Sequence, residues 1–187
     1  SYGFTIDQNK ADKAWNSKKK ELEQEGLNED QLDFAKKDWD LLEAKRHYKP
    51  NSYDFTVESV GVYTAKEKVI KACDVLLKEF EEFKDIINEQ FDYIVSISPI
   101  NLNNSYDIKL DNKDNTFGKI IEEIIYKDYF EKSLLTYCGF KIFHPHDGYG
   151  ILRLAFVKEV DNTTIKDVIQ KSCNKVKVLI AVSYTHL

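Results

Sequence analysis

Residues 115–157 read NTFGKIIEEIIYKDYFEKSLLTYCGFKIFHPHDGYGILRLAFV, and this stretch decides the fold. Asn115 or Thr116 is placed to cap a helix, because a short side-chain oxygen satisfies N–H groups that the first turn leaves free. Phe117, Ile120, Ile121, Ile124 and Ile125 then follow the i, i+3, i+4, i+7, i+8 spacing of one apolar helix face. Gly118 inside that helix costs roughly 1 kcal/mol against Ala, so its presence predicts a close approach to the backbone. Two β-like runs follow, 137–143 and 151–157, joined through His144-Pro145-His146-Asp147-Gly148. In the second, Leu152, Leu154 and Phe156 alternate with Arg153 and Ala155, the pattern of a strand buried on one face. Helix, then hairpin, is the expected order.

Downstream, Thr164 with Asp167 has cap-pair spacing, and Ile165, Val168, Ile169, Cys173 and Val176 continue as a helix to about residue 179. The last six residues, VSYTHL, resemble translated sequencing-adapter sequence, and 182–187 is expected to lie outside the native fold. Upstream, Tyr53, Phe55 and Val57 alternate with polar residues as a strand over 53–59, which Gly61 closes. Thr64 with Glu67 then has capping-box spacing. Val69, Ile70, Cys73, Leu76, Leu77, Phe80, Phe83 and Ile87 form a long helical stripe, the pattern of a packing face.

Residues 1–50 read as a charged helical segment. One helix carries Ala11, Ala14, Trp15, Lys18 and Leu22 and stops at Gly26. A second, capped by Asn28, carries Leu32, Ala35, Trp39 and Leu42. Lys18-Lys19-Lys20 is followed at once by Glu21, Glu23 and Glu25, which suits a solvated face better than a nucleic-acid contact. Trp15 and Trp39 suit either an interface anchor or a small core.

The 187 residues hold 42% hydrophobic and 32% charged residues, a globular mixture. A net charge of −5 argues against a surface built to neutralise phosphates and predicts weak DNA binding by the chain alone. No apolar run approaches the ~20 residues of a membrane helix. Cys73, Cys138 and Cys173 lack the spacing of a zinc or redox site and read as reduced core thiols. His144 and His146, two apart, could face one way as a metal pair with Asp147. Turn chemistry around Pro145 and Asp147-Gly148 is the simpler reading. No phosphate loop, nucleophile elbow or catalytic carboxylate pair is evident, and no metal or cofactor is expected.

Asp114, Thr116, Gly118, Gly139-Phe140-Lys141, His144-Pro145 and Leu152-Arg153-Leu154 occur in the order of a known pattern. This resembles the small dimerisation subunits of multisubunit RNA polymerases: eukaryotic subunit eleven, its archaeal counterpart and the matching part of bacterial alpha. Asn115, Phe117 and Lys119 depart from that pattern but keep the cap and the apolar face. Phe55-Thr56-Val57-Glu58-Ser59-Val60-Gly61 with the helix after it resembles the end of the dimerisation domain of subunit three and of its archaeal counterpart. The tandem order, with the wording Cys138-Gly-Phe-Lys-x-Phe-His-Pro-His-Asp147, is similar to the fused subunit of large DNA viruses.

The resemblance implies an α+β fold of two alpha-like dimerisation halves in tandem, each an antiparallel sheet with packed helices, preceded by charged helices. The segments would be 1–50 (charged helices), 51–92 (subunit-three-like), 93–181 (subunit-eleven-like) and 182–187 (non-native tail), with 91–104 joining the halves. Val69, Ile70, Cys73, Leu76, Leu77 and Phe80 would meet Phe117, Ile120, Ile121, Ile124, Ile125, Ile165, Val168 and Ile169 between the halves. Glu58, Ser59, Gly61, Thr116, Gly118, Gly139, Phe140, Lys141, His144, Pro145, Leu152 and Arg153 would be family motif positions.

The implied role is non-catalytic: a platform for the two largest polymerase subunits and a small subunit-ten-like protein, touching DNA only through the complex and no membrane. Its place would be intracellular, in a viral cytoplasmic factory or virion, or in a cell nucleus. A strand–helix unit is expected before Ser1, without which the stripe around Val69, Leu76 and Phe83 would stay uncovered and drive self-association. Two other classes remain open: a small dehydratase-like α+β enzyme using the His144/His146 turn, and a generic dimerising adaptor.

Overall fold

Tyr2, Phe4 and Ile6 alternate with Gly3 and Thr5, and this run forms β1 (Tyr2–Ile6), a strand inside the segment expected to be helical. The structure is a computed structural model that describes residues 1–100, 102–144 and 146–185. It is α+β, with two antiparallel sheets and packed helices, in two units: residues 1–65, and 66 onward. That division falls inside the 51–92 segment.

In the first unit Asp7 accepts the Lys10 N–H at 3.2 Å and starts α1 (Gln8–Gln24). The chain turns at Gly26, whose φ of 88° suits a residue without Cβ. A capping box at Asn28 and Gln31, with bonds of 2.9 and 3.0 Å, starts α2 (Glu29–Leu41). Ala11, Trp15, Trp39 and Ala44 are the buried core, with the indole centroids 5.8 Å apart. The tryptophans are core residues, roofed by Lys36 over Trp15 and Lys18 over Trp39. Leu42, expected on the same stripe, is exposed.

The chain then returns as β2 (Tyr48–Phe55), antiparallel to β1, with Tyr2 opposite Phe55 and Phe4 opposite Tyr53. This corrects the expected strand over 53–59: it starts earlier and stops before Glu58, Ser59 and Gly61. Pro50 falls inside it, where the register shifts and Asn51 adopts a φ of 56°. Such a bulge tolerates a residue without an N–H.

The second unit begins with α3 (Ala65–Glu89), whose first residue closes the first unit. The expected connection over 91–104 contains a short helix, α4 (Phe91–Ile94), and an edge strand, β3 (Val95–Ile97). There follow β4 (Ser105–Asp111), α5 (Asn115–Ile125), a π turn over Tyr126–Phe130, β5 (Leu135–Lys141), β6 (Tyr149–Phe156) and α6 (Asn162–Thr185). The sheet order is β3-β4-β6-β5, antiparallel throughout. Ile108, Leu110, Leu152, Leu154 and Phe140 are buried in one core with side chains of α3, α5 and α6. The alternate residues Asp107, Lys109, Arg153 and Lys141 belong to the opposite face.

Two expected caps are displaced by charge. Asp114, not Asn115 or Thr116, accepts the Phe117 N–H at 3.0 Å and starts α5. Asp161, not Thr164, starts α6 by accepting the Thr164 N–H at 2.9 Å. A carboxylate beats an amide or hydroxyl here because the free N–H groups carry the positive end of the helix dipole. The helix also runs through the expected end near residue 179 to Thr185, so part of the supposed tail is helical. Residues 186 and 187 lie outside the described residues.

Bonds from Thr163, then Thr164, hold the Asp161 carboxyl down at about 2, below its ordinary 3.8. A depressed carboxylate stabilises the fold above its ordinary pKa, and that contribution disappears as pH falls through about 2. Asp161→Ala should therefore lower the urea midpoint at pH 7, and the difference from the parent chain should shrink toward zero by pH 2.

Gly118 makes the close approach that its position in a helix implies. A Cβ there would overlap the Phe140 ring, and a Cβ at Gly150 of β6 would overlap the same ring from its own side. Phe140 is thus wedged between helix and strand and has nowhere to go. Helix propensity alone would make Gly118→Ala stabilising by roughly 1 kcal/mol. The wedge reverses the sign: a net loss of about 1–3 kcal/mol is expected from overpacking, measurable by urea unfolding.

Candidate assembly interface

Phe117 is where the two resembling segments meet. It leaves the first turn of α5 fully buried. Phe80 of α3 stacks on it with centroids 4.1 Å apart and planes 17° from parallel. Phe83 meets the same ring edge-on at 5.4 Å and 83°. Lys113 sits over the ring at 5.0 Å and reaches Glu79 of α3 at 3.9 Å. Three aromatic rings in stacked and edge-on geometry gain electrostatic complementarity beyond the apolar area they bury.

Below them Ile121, Ile124 and Ile125 of α5 and Ile165, Val168 and Ile169 of α6 are buried in the same core, with Ile120 packed at its margin. Cys173 and Val176 extend it along α6, and Phe83 and Ile87 along α3. The stripe on α3 changes along its length. Phe80, Phe83 and Ile87 are buried, whereas Val69, Ile70, Cys73, Leu76 and Leu77 are half-buried. The expectation that Phe83 stays uncovered is therefore incorrect.

A ladder of polar contacts sets the register of α3 against α6. Lys177 pairs with Glu81 at 2.8 Å, Lys84 donates to Asn174 at 2.9 Å, and Lys166 donates to the Asn88 carbonyl at 3.2 Å. Gln170 also donates to the Asn88 side chain. Residue numbers rise on α3 as they fall on α6, so the helices run antiparallel. These contacts are exposed and add register more than stability. Lys175 grips Asp128 in the π turn at 2.6 and 2.7 Å and holds its carboxyl below the ordinary range.

On the other face of the sheet, Arg153 forms a two-pronged pair with Asp107, at 2.6 Å from Nε and 2.7 Å from Nη2. The two residues are direct cross-strand partners, and their side chains are only 17% and 10% exposed. Arg153 is an expected motif position; its partner is not. The pair spans 46 residues, and nothing near Asp107 in the sequence marks it.

Of the other motif positions, Phe140, Leu152 and Gly118 are buried, Gly139 is half-buried, and Thr116 and Lys141 are exposed. Glu58 and Gly61 are exposed and Ser59 half-buried; Ser59 donates to the Tyr63 carbonyl. They do not join the core. Pro145 lies outside the described residues.

The histidine turn is a local structure. His144 and His146 are both exposed, their ring centroids 5.2 Å apart, and the His146 N–H donates to His144 Nδ1 at 3.2 Å. The Asp147 N–H donates to the His144 carbonyl at 3.0 Å. Among the described residues, no three His, Cys, Asp or Glu side chains stand together as a metal site.

Cys73, Cys138 and Cys173 are free thiols. Burial pushes Cys138 and Cys173 each up to about 12, which leaves them protonated and unreactive. A hollow of about 530 Å³ is lined by Tyr129, Leu134, Phe156 and Val168, with Ser133, Lys158, Glu159 and Thr164 also on its wall. No helix among the described residues is long and apolar enough to cross a membrane. The chain matches no protein-family model and no curated protein.

Proposed function

We propose that this chain is a non-catalytic assembly subunit of a multisubunit DNA-directed RNA polymerase, a platform on which the two large catalytic subunits come together. One observation carries the reading. The helix that follows the subunit-three-like motif packs through Phe80 and Phe83 onto Phe117, in the helix that opens the subunit-eleven-like motif. Pairing of those two helices is what the resemblance requires. The order of Gly118, Gly139-Phe140-Lys141 and Leu152-Arg153-Leu154 supports it, since these residues shape the wedge and the ion pair of one sheet.

Carrying both segments in one chain fixes their ratio and raises their effective concentration. On this reading a small subunit-ten-like protein is a further partner, and contact with DNA runs through the complex. The site of action is a viral factory or virion, or a cell nucleus.

The test is affinity purification of the tagged chain from its native source, followed by mass spectrometry. Stoichiometric recovery of two large polymerase subunits is the expected result. Recovery of the chain without them, from cells that are actively transcribing, would refute the proposal and leave a dimerising adaptor.

A further inference from the structure

We infer that the aromatic face of the β1–β2 ribbon is a self-association surface, on which a second copy of this chain packs face to face. This is independent of the polymerase reading. The rings form one continuous ladder: Phe55 to Tyr2 at 6.2 Å, Tyr2 to Tyr53 at 6.4 Å, Tyr53 to Phe4 at 5.2 Å and Phe4 to Tyr48 at 4.5 Å. All five are open to solvent: Tyr2 70%, Phe4 48%, Tyr48 42%, Tyr53 46% and Phe55 72% exposed. Ile6, 37% exposed, extends the row.

A two-stranded ribbon needs a second layer on its apolar face to be independently stable. Area and charge point to a copy of the same chain as that layer. With ~150–250 Å² per aromatic side chain, the exposed fractions leave ~600 Å² on each ribbon. Two ribbons would then bury ~1,200 Å², above the ~1,000 Å² that a specific contact needs. The six side chains of the row are all uncharged, and Asp54, paired with Gly3 and bonded to Thr5, belongs to the opposite face. An acidic chain can therefore meet itself here without setting like charges against each other. The same acidity disfavours a nucleic acid as the occupant. A two-fold contact between identical faces is self-closing, so the product is a dimer rather than a filament.

Sedimentation velocity on the full chain between ~1 and ~200 µM brackets the micromolar affinity that so small an interface supports. A monomer–dimer equilibrium is expected. Phe4→Ser and, separately, Phe55→Lys should each weaken it by about tenfold or more. Val75→Ser, at a 58% exposed position on α3, should leave it unchanged. Far-UV circular dichroism and the fluorescence of Trp15 and Trp39, which form the core of the first unit, report whether each ribbon variant is folded. Phe55 lies near the ribbon end and makes no contribution to the tryptophan core, so its substitution keeps the test valid if Phe4→Ser unfolds. A chain that stays monomeric at ~200 µM would overturn the inference. So would a dimer that survives both ribbon substitutions, or one lost on Val75→Ser.

Discussion

Phe117→Ala should cost about 3–5 kcal/mol, the range for removing a fully buried aromatic side chain. The site gives the high end a reason. Phe117 is 0% exposed and holds two rings of another helix, Phe80 at 4.1 Å and Phe83 at 5.4 Å. Truncation removes the transfer energy of the ring, leaves a cavity that three rigid elements cannot close, and forfeits about 0.5–1.5 kcal/mol for each aromatic pair. Urea unfolding is the measurement, with the slope checked for constancy. A loss under ~1 kcal/mol would place that side chain outside the core.

Asp107→Ala should cost about 3 kcal/mol, because it leaves the Arg153 guanidinium shielded from water and unpaired. Replacing both residues tests the cause. Asp107→Leu with Arg153→Leu removes the stranded charge as well as the pair, and such swaps are often close to neutral. The double variant should therefore recover most of what the single variant loses. Equal losses in both would mean that the pair contributes through direct attraction rather than by avoiding an unpaired charge.

The helix face at Phe117, Ile121, Ile124 and Ile125 is legible in the sequence because burial on one side of a helix leaves a periodic trace. Gly118 is legible for another reason: a glycine that costs helix stability needs a neighbour that excludes Cβ. The caps are nearly so. Asp114 and Asp161 stand one and three residues before the residues that spacing alone favours, Asn115 and Thr164, and the helix dipole selects the charged one.

The features with no such trace are non-local. β1 pairs with β2 across two intervening helices, so Tyr2, Phe4 and Ile6 show alternation but no hairpin turn to announce a partner. β4 carries the alternation of a strand buried on one face in Tyr106, Ile108 and Leu110, but nothing near Asp107 in the sequence marks Arg153 as the residue opposite it. The π turn at Tyr126–Phe130 has no sequence signal of its own. Along α3 the stripe is legible, but its change from half-buried at Val69 to buried at Phe83 depends on where α5 begins, since Phe80 and Phe83 meet Phe117 in its first turn.

The most direct test of the shared core is a double-mutant cycle between the two segments. Phe80→Leu and Phe117→Leu, alone and together, keep apolar volume while removing the stacked rings. The contact at 4.1 Å predicts a coupling of about 0.5–1.5 kcal/mol between them in urea unfolding. Losses that add to within ~0.3 kcal/mol would mean that the two rings do not touch, and the pairing of α3 with α5 would fall with them.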